Sequence, residues 1–401
     1  WIQSKTAIKY DANLSVDCVN LFLSESERKV NGNFNTFLLW RIIMTIKRLC
    51  ILWIFVAFII GVIGSQSIYA ETYRLTIGTG HPADANVAAG RVRDFFIPEV
   101  SKRVDAKTEH KIKWVEAYSS IAKPGGVLEA VEGGVLDIGW IMPIFEPSKL
   151  FLHSWTYFVP FSTSDIHVVA KVTSEIYDKF PYLRNVLEKE YNQKYLGTQP
   201  CNSYDMITTF DWKKLSDLKN RKICAAGPNL PWIKPLGVVP VQGPFNEAYT
   251  SFQTGVYEGW LIFIDAVVDF KVYEVISNYI KCDLGCQSLG ILTVNMNCWR
   301  NLPKEIQNIM LEVGSKLAVD GAKAAAEKRS GGFETLQKQG VKVWQLPESE
   351  KSKWANMLPN IPNQKAKEAD EKGAPGSKVV KAYISMLQKE GCKLPRVWKI
   401  D

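Results

Sequence analysis

Histidine is scarce in this 401-residue sequence. The four present, His81, His110, His153 and His167, are too scattered to form a close pair or a His-Glu-x-x-His zinc motif. A Gly-x-Ser-x-Gly elbow and a Gly-x-x-x-x-Gly-Lys-Ser/Thr loop are missing too, so the common hydrolase, metalloprotease and nucleotide-binding signatures are absent. Cysteine is sparse: of eight, six follow residue 70 (Cys201, Cys224, Cys282, Cys286, Cys298 and Cys392), too few for a disulfide scaffold and too far apart for a zinc site. No Arg-rich stripe occurs. The formal net charge is +8, but basic and acidic residues interleave along the chain, which argues against nucleic acid as a partner. No repeat of about 20–50 residues is evident, which excludes a solenoid. These absences point away from an enzyme and call for no cofactor and no metal.

What is present begins near the amino end. The first Met is Met44, followed by Lys47 and Arg48, an apolar run from Leu49 to Gly64, and the segment Ser65 to Ala70. A charged start, an apolar middle and a small-residue end are the plan of a secretory signal peptide. The run falls short of the roughly 20 residues that span a bilayer as a helix. Cleavage is expected after Ala70, with Ile68 an unusual residue at the minus-three position. The residues before Cys50 are not the small ones of a lipoprotein signal. Residues 1–43 are expected to be an upstream segment outside the protein proper, 44–70 the signal peptide, and Glu71 to Asp401 an exported, periplasmic chain. That compartment permits disulfides, and Cys282 with Cys286, beside Gly285, is the expected local pair.

Along the exported part, Tyr73–Gly78, Lys111–Ala117 and Val135–Trp140 read as strands, the last as a buried edge. A helix capped by Asp84 is expected over 85–104 and another over 125–133. Strands alternating with helices imply βαβ units and a mostly parallel sheet. Residues 143–161 read as a packed loop or hinge, and 164–191 as helix broken at Pro181. Strands follow at 194–198 and 204–209, then a turn and strand over 215–225 and a helix over 245–254. Residues 303–339 read as a long helix or helix pair bent at Gly331-Gly332. A strand at 341–344 and amphipathic helices at 348–354 and 376–390 close the chain.

Several motifs in order carry a resemblance: Gly80-His81-Pro82 after the first strand; Val127 to Gly139; Leu215-Ser-Asp-Leu-Lys-Asn-Arg-Lys-Ile223; Gln253-Thr-Gly-Val-Tyr-Glu-Gly259; and Leu302-Pro-Lys-Glu-Ile-Gln307. By their order and spacing, residues 71–401 resemble the substrate-binding subunits of tripartite ATP-independent periplasmic (TRAP) transporters, of dicarboxylate-receptor type. The resemblance implies an α/β, two-lobed periplasmic-binding-protein fold with crossover strands and a long connecting helix. Lobe I would comprise 71–196 with a return segment at about 286–325, and lobe II 197–285 with carboxyl-terminal helices at about 326–401. It also implies a monomeric receptor that closes on a small-molecule ligand and delivers it to membrane permease subunits driven by an ion gradient. An exported α/β enzyme, or a ligand sensor serving a kinase, are the alternatives of other classes.

In that family an Arg at the end of the strand after the Asp-Leu-Lys pattern holds the ligand carboxylate, and here Cys224 stands at that position. A thiol does not reproduce the two parallel charge-assisted bonds of a guanidinium. Arg221 should face away from residue 224, since residues three apart on a strand point to opposite faces. The family's Asn after the Asp-Gly turn is replaced as well, by Leu261, Ile262 and Phe263. Aromatic residues fill the expected cleft: Tyr118, Trp140, Trp232, Trp260 and Phe263, with Trp232 and Trp260 on cleft-side loops. Glu116, Asn229 and Asp265 are the polar candidates, alongside Gln242 and Glu258, and Asp265 or Glu258 facing the aromatics would suit a cation. His81 reads as a turn residue. The expected ligand is therefore aromatic, apolar or weakly charged; a C4-dicarboxylate or other organic acid is the alternative.

Overall fold

The computed structural model describes residues 40–49, 53, 70–85, 87–243 and 245–401. Residues 40–49 are helical, and no helix among the described residues is long and apolar enough to cross a membrane. Residues 1–39 and most of the expected export segment lie outside the described residues. The chain divides into residues 1–68 and 69–401, and all that follows concerns the second unit.

Eleven strands form among the described residues: β1 (Thr72–Thr79), β2 (Lys111–Tyr118), β3 (Ile138–Ile141), β4 (Gln193–Cys201), β5 (Asp205–Thr208), β6 (Lys222–Cys224), β7 (Val239–Val241), β8 (Gly259–Ile262), β9 (Asn278–Lys281), β10 (Gln287–Asn295) and β11 (Lys342–Gln345). They make two sheets, one ordered β2-β1-β3-β10-β4 and the other β11-β9-β5-β8-β6-β7. In the first, β1 runs parallel to β2 and β3, whereas β10 is antiparallel to β3 and β4. In the second, β6 is parallel to β7 and β8, β9 is parallel to β11, and β5 is antiparallel to β8 and β9. Both sheets are therefore mixed rather than mostly parallel, because β5 and β10 each return antiparallel after a crossing. Nor is β3 an edge. Its all-buried Ile-Gly-Trp-Ile lies between β1 and β10, which explains why it carries no polar face.

Two crossings join the sheets, from β4 through 202–204 to β5 and from β9 through 282–286 to β10. Nearly every residue of β4 and β10 is buried, as paired strands covered on both faces require. The helix Leu317–Lys338 packs on β4, on the helix Ile166–Lys179, and on the helix Ile264–Asp269 beside the second sheet.

Three local expectations are corrected. The helix expected over 85–104 is Val87–Arg91, a π turn Val92–Phe96, and Ile97–Lys107. Pro98 has no N–H and its ring would press on the carbonyl of residue 94, so the wider turn, closed by Ile97 N–H to Val92 O, relieves the strain. The long helix breaks between Lys304–Gly314 and Leu317–Lys338, not at Gly331-Gly332. A Cβ on Gly314 would collide with the Leu196 backbone, so the chain bends where it touches β4, while Gly332 lies inside the helix against Ile264. Cys282 and Cys286 are free and fully buried rather than bonded to each other.

Candidate ligand-binding site

The site candidates gather at the carboxyl ends of parallel strands, where open α/β sheets bind ligands. In the first sheet, Thr79 of β1 pairs with Tyr118 of β2 and with Trp140 of β3, so the three form one row on one face. Trp140 continues the row to Leu292 of β10. A Cβ on Gly290 would fall within the Trp140 ring, so this glycine is what lets the indole lie flat on β10. His81, just past β1, has its ring 6.2 Å from that of Trp140, and burial lowers its pKa to about 4, so it is a neutral packing residue.

The second sheet builds a matching row. Cys224 at the end of β6 pairs with Trp260 of β8, which pairs with Ile207 of β5. Trp260 is thus a strand residue, not a loop residue. Its ring lies 5.6 Å from Phe245 and 5.9 Å from Tyr257, and Phe263 stands 5.9 Å from Phe245 and 5.3 Å from Tyr204. Trp232, in the short helix Leu230–Ile233, is fully buried between Tyr157 and Tyr204, with ring distances of 6.3 and 6.0 Å. Tyr157 comes from the segment Phe151–Phe158, so the aromatic chain is continuous from there to β8.

Cys224 is buried, and desolvation pushes its thiol pKa up to about 12, which keeps it neutral. Arg221 does face away as expected: it donates to Glu258 at 2.6 Å and stacks on Phe210 at 4.2 Å, at the surface. Glu258, spent on this pair, does not face the aromatics. Glu116 lies exposed on the edge strand β2; burial, and then the Glu116 carboxylate, raise the pKa of the Tyr118 hydroxyl. Gln242 is exposed.

Asp265 is not aimed at the aromatics either. Buried at the start of the helix Ile264–Asp269, it accepts from Asn202 Nδ2 at 2.9 Å, and the same amide donates to Ala325 O at 2.7 Å. Burial raises the Asp265 pKa to about 7. Nearby, Asp205 accepts from the Tyr279 hydroxyl at 2.8 Å and from the Cys282 and Asp283 N–H groups at 2.8 and 2.9 Å, with Arg329 at 3.6 Å and a pKa raised by burial to about 6. This set belongs to the crossing segments, which it ties to the long helix.

One contributor escaped the sequence reading. Gln199 of β4 is fully buried, and neither amide atom has a protein partner; the same holds for both amide atoms of Asn229, in the turn Gly227–Asn229 after β6. The indole N–H groups of Trp140, Trp232 and Trp260 are likewise buried and unpartnered. Gln199 stands opposite Gly290, the residue under the Trp140 ring. A glutamine in the apolar run Tyr195–Cys201 was the available signal. Buried amides usually find partners, and these two do not find one in the protein.

Residues 95–368 match the model of the bacterial extracellular solute-binding protein family 7, and the chain belongs to that family. The family is one of receptors rather than enzymes, in keeping with the missing catalytic motifs. Over 232 residues the chain is 24% identical to the ectoine-binding periplasmic protein TeaA of Halomonas elongata, spanning 55% of this chain but only 64% of that relative's length. Its fold is that of TRAP solute-binding proteins, as expected. A marine metagenome protein specific for aromatic acids, solved with 3-hydroxybenzoate, matches with TM-score 0.69 and 18% identity over 80% of this chain and 99% of that one. A Bordetella pertussis extracytoplasmic receptor binding pyroglutamic acid matches with TM-score 0.63 and 22% identity over 77% and 99%.

Proposed function

We propose that this protein is an exported solute receptor that closes on an aromatic, apolar or weakly charged small molecule and hands it to a TRAP permease driven by an ion gradient. In this reading the chain is cleaved after Ala70 and acts as a periplasmic monomer. Its lobes are 71–196 with 286–325 and 197–285 with 326–401. The ligand meets Tyr118, Trp140, Asn229, Trp232, Trp260 and Phe263, with Cys224 beside them and Glu116 at the margin, while Asp265 is taken up by the crossing.

The observation that carries the ligand class is Cys224, a buried neutral thiol paired in register with Trp260 where the resemblance expects an Arg. A carboxylate buried there without a cation loses several kcal/mol of hydration that a thiol does not return. The 3-hydroxybenzoate and pyroglutamic acid held by the related proteins support a ring in the ligand, while the carboxylate both carry has no cation at Cys224 to meet it here. Thermal shift of the purified protein against 3-hydroxybenzoate, ectoine, pyroglutamate and succinate, with native mass spectrometry for a retained compound, tests the reading. Saturating ligand at about 100 times Kd adds about 2.7 kcal/mol, a shift of a few degrees. Stabilisation by succinate alone would overturn the ligand class.

A further inference from the structure

Gly290 lies within β10 and is not among the glycines with positive φ, so its backbone is one that residues with a side chain adopt. What glycine supplies there is room. A Cβ at 290 would lie 2.3, 2.4 and 2.6 Å from Cε2, Cζ2 and Nε1 of Trp140. The other strand glycines, Gly78, Gly139, Gly197 and Gly259, meet backbone atoms or methyl-bearing side chains instead. Gly290 is thus the strand glycine on which an aromatic ring rests, and that ring ends the row that Tyr118 and Thr79 begin.

The strand prepares the position. Ser288 pairs with Pro200 and Gly290 with Gln199, so Leu289 is an extra residue, a bulge of the kind that re-aims its neighbours beside binding sites. Trp140 pairs with Leu292, which shares a face with Gly290 two residues away, so the indole reaches along β10 to lie on the glycine. The indole is fully buried and its N–H has no partner in the protein, so packing rather than a hydrogen bond fixes the ring. Carbon atoms in ordinary contact stand about 3.5–4.0 Å apart, so a methyl group at 290 must lift the indole off the sheet by about 1 Å or more. A flat molecule stacked on the indole needs about 3.5 Å of height, and such a lift removes a large part of it.

Resting on the receptor reading above, we propose that Gly290 is a positioning residue for ligand specificity. By letting the Trp140 indole lie flat on β10, it keeps the height over that ring open to a planar ligand, and any side chain at 290 closes it.

A double-mutant cycle on the full chain tests this: Gly290→Ala, Trp140→Leu and the two together, each followed by thermal unfolding and by calorimetry. The flat probes are 3-hydroxybenzoate and benzamide, with any compound that native mass spectrometry finds retained. In the parent background Gly290→Ala lowers the melting temperature and weakens binding of the flat probes about tenfold or more. In the Trp140→Leu background the same alanine changes affinity by less than about twofold and leaves the melting temperature where it was, because the ring it collides with is gone. A glycine required by the bulge alone would cost as much in either background, so equal losses in both overturn the proposal and leave a receptor standing. Parental affinity in Gly290→Ala overturns it too. Where Gly290→Ala does not fold, folding of the double variant supports the proposal, and its failure beside a folded Trp140→Leu protein overturns it. Where Trp140→Leu abolishes probe binding, the melting temperatures decide by the same comparison. No probe bound by the parent, together with no retained compound, removes the receptor reading and this proposal with it.

Discussion

Asn202 and Gln199 lie close together where β4 leaves the first sheet, both are buried carboxamides, and they spend their polar atoms differently. Asn202 bridges Asp265 and Ala325 inside the protein, whereas Gln199 bonds to nothing in it. The crossing is thus held by a paired polar network, whereas the Gln199 amide beside it lies against Gly321 of the long helix without a polar partner in the protein. Inside a protein the same amide stabilises when paired and costs about 1–3 kcal/mol when not.

The sharpest break of the comparison is at Asp205. Asp205→Ala strips three donors of their acceptor and leaves Arg329 without its nearest carboxylate. Urea unfolding should show a loss of about 3–5 kcal/mol, far beyond any change at Gln199.

A smaller effect is expected from pH. Asp265 and Asp205 hold their protons up to about 7 and about 6 when folded, above the ordinary carboxylate range, because burial disfavours the charged form. The folded state therefore binds more protons than the unfolded state between roughly pH 4 and 7, and their contribution to stability falls as pH rises through that window. Asn202, Lys328 and Arg329 act against the rise at Asp265, whereas the Asp269 carboxylate adds to it. Asp265→Asn should flatten the slope of unfolding free energy against pH; an unchanged slope would show that Asp265 is ionised throughout.

The smallest effect belongs to Arg221, the arginine nearest in sequence to Cys224. Paired with Glu258 at the surface, it contributes less than about 1 kcal/mol. Arg221→Ala should leave ligand affinity unchanged within about twofold by calorimetry.

Much of the fold could be read from local pattern. Period-two alternation marked β1, and the helical run expected from 164 forms as Ile166–Lys179, where Asp165 accepts from the His167 and Val168 N–H groups. The break at Pro181 follows from proline's missing N–H. The bend of the long helix was not legible, because it depends on Gly314 meeting Leu196, residues far apart in sequence. The helix Ile361–Glu371 also escaped notice, since Pro362 and a polar face mask its periodicity.

By itself the sequence determined the alternation of elements, the family-bearing motifs and the replacement of a cation by Cys224, because these depend on residues near one another in the chain. Only the tertiary structure decided that Tyr118 and Trp140 share one row and Cys224 and Trp260 another, that Asp265 serves the crossing, and that Gln199 is left unpaired. Strand register and burial are set by contacts between distant segments. Whether a buried amide finds a partner is known only when all of its neighbours are in place.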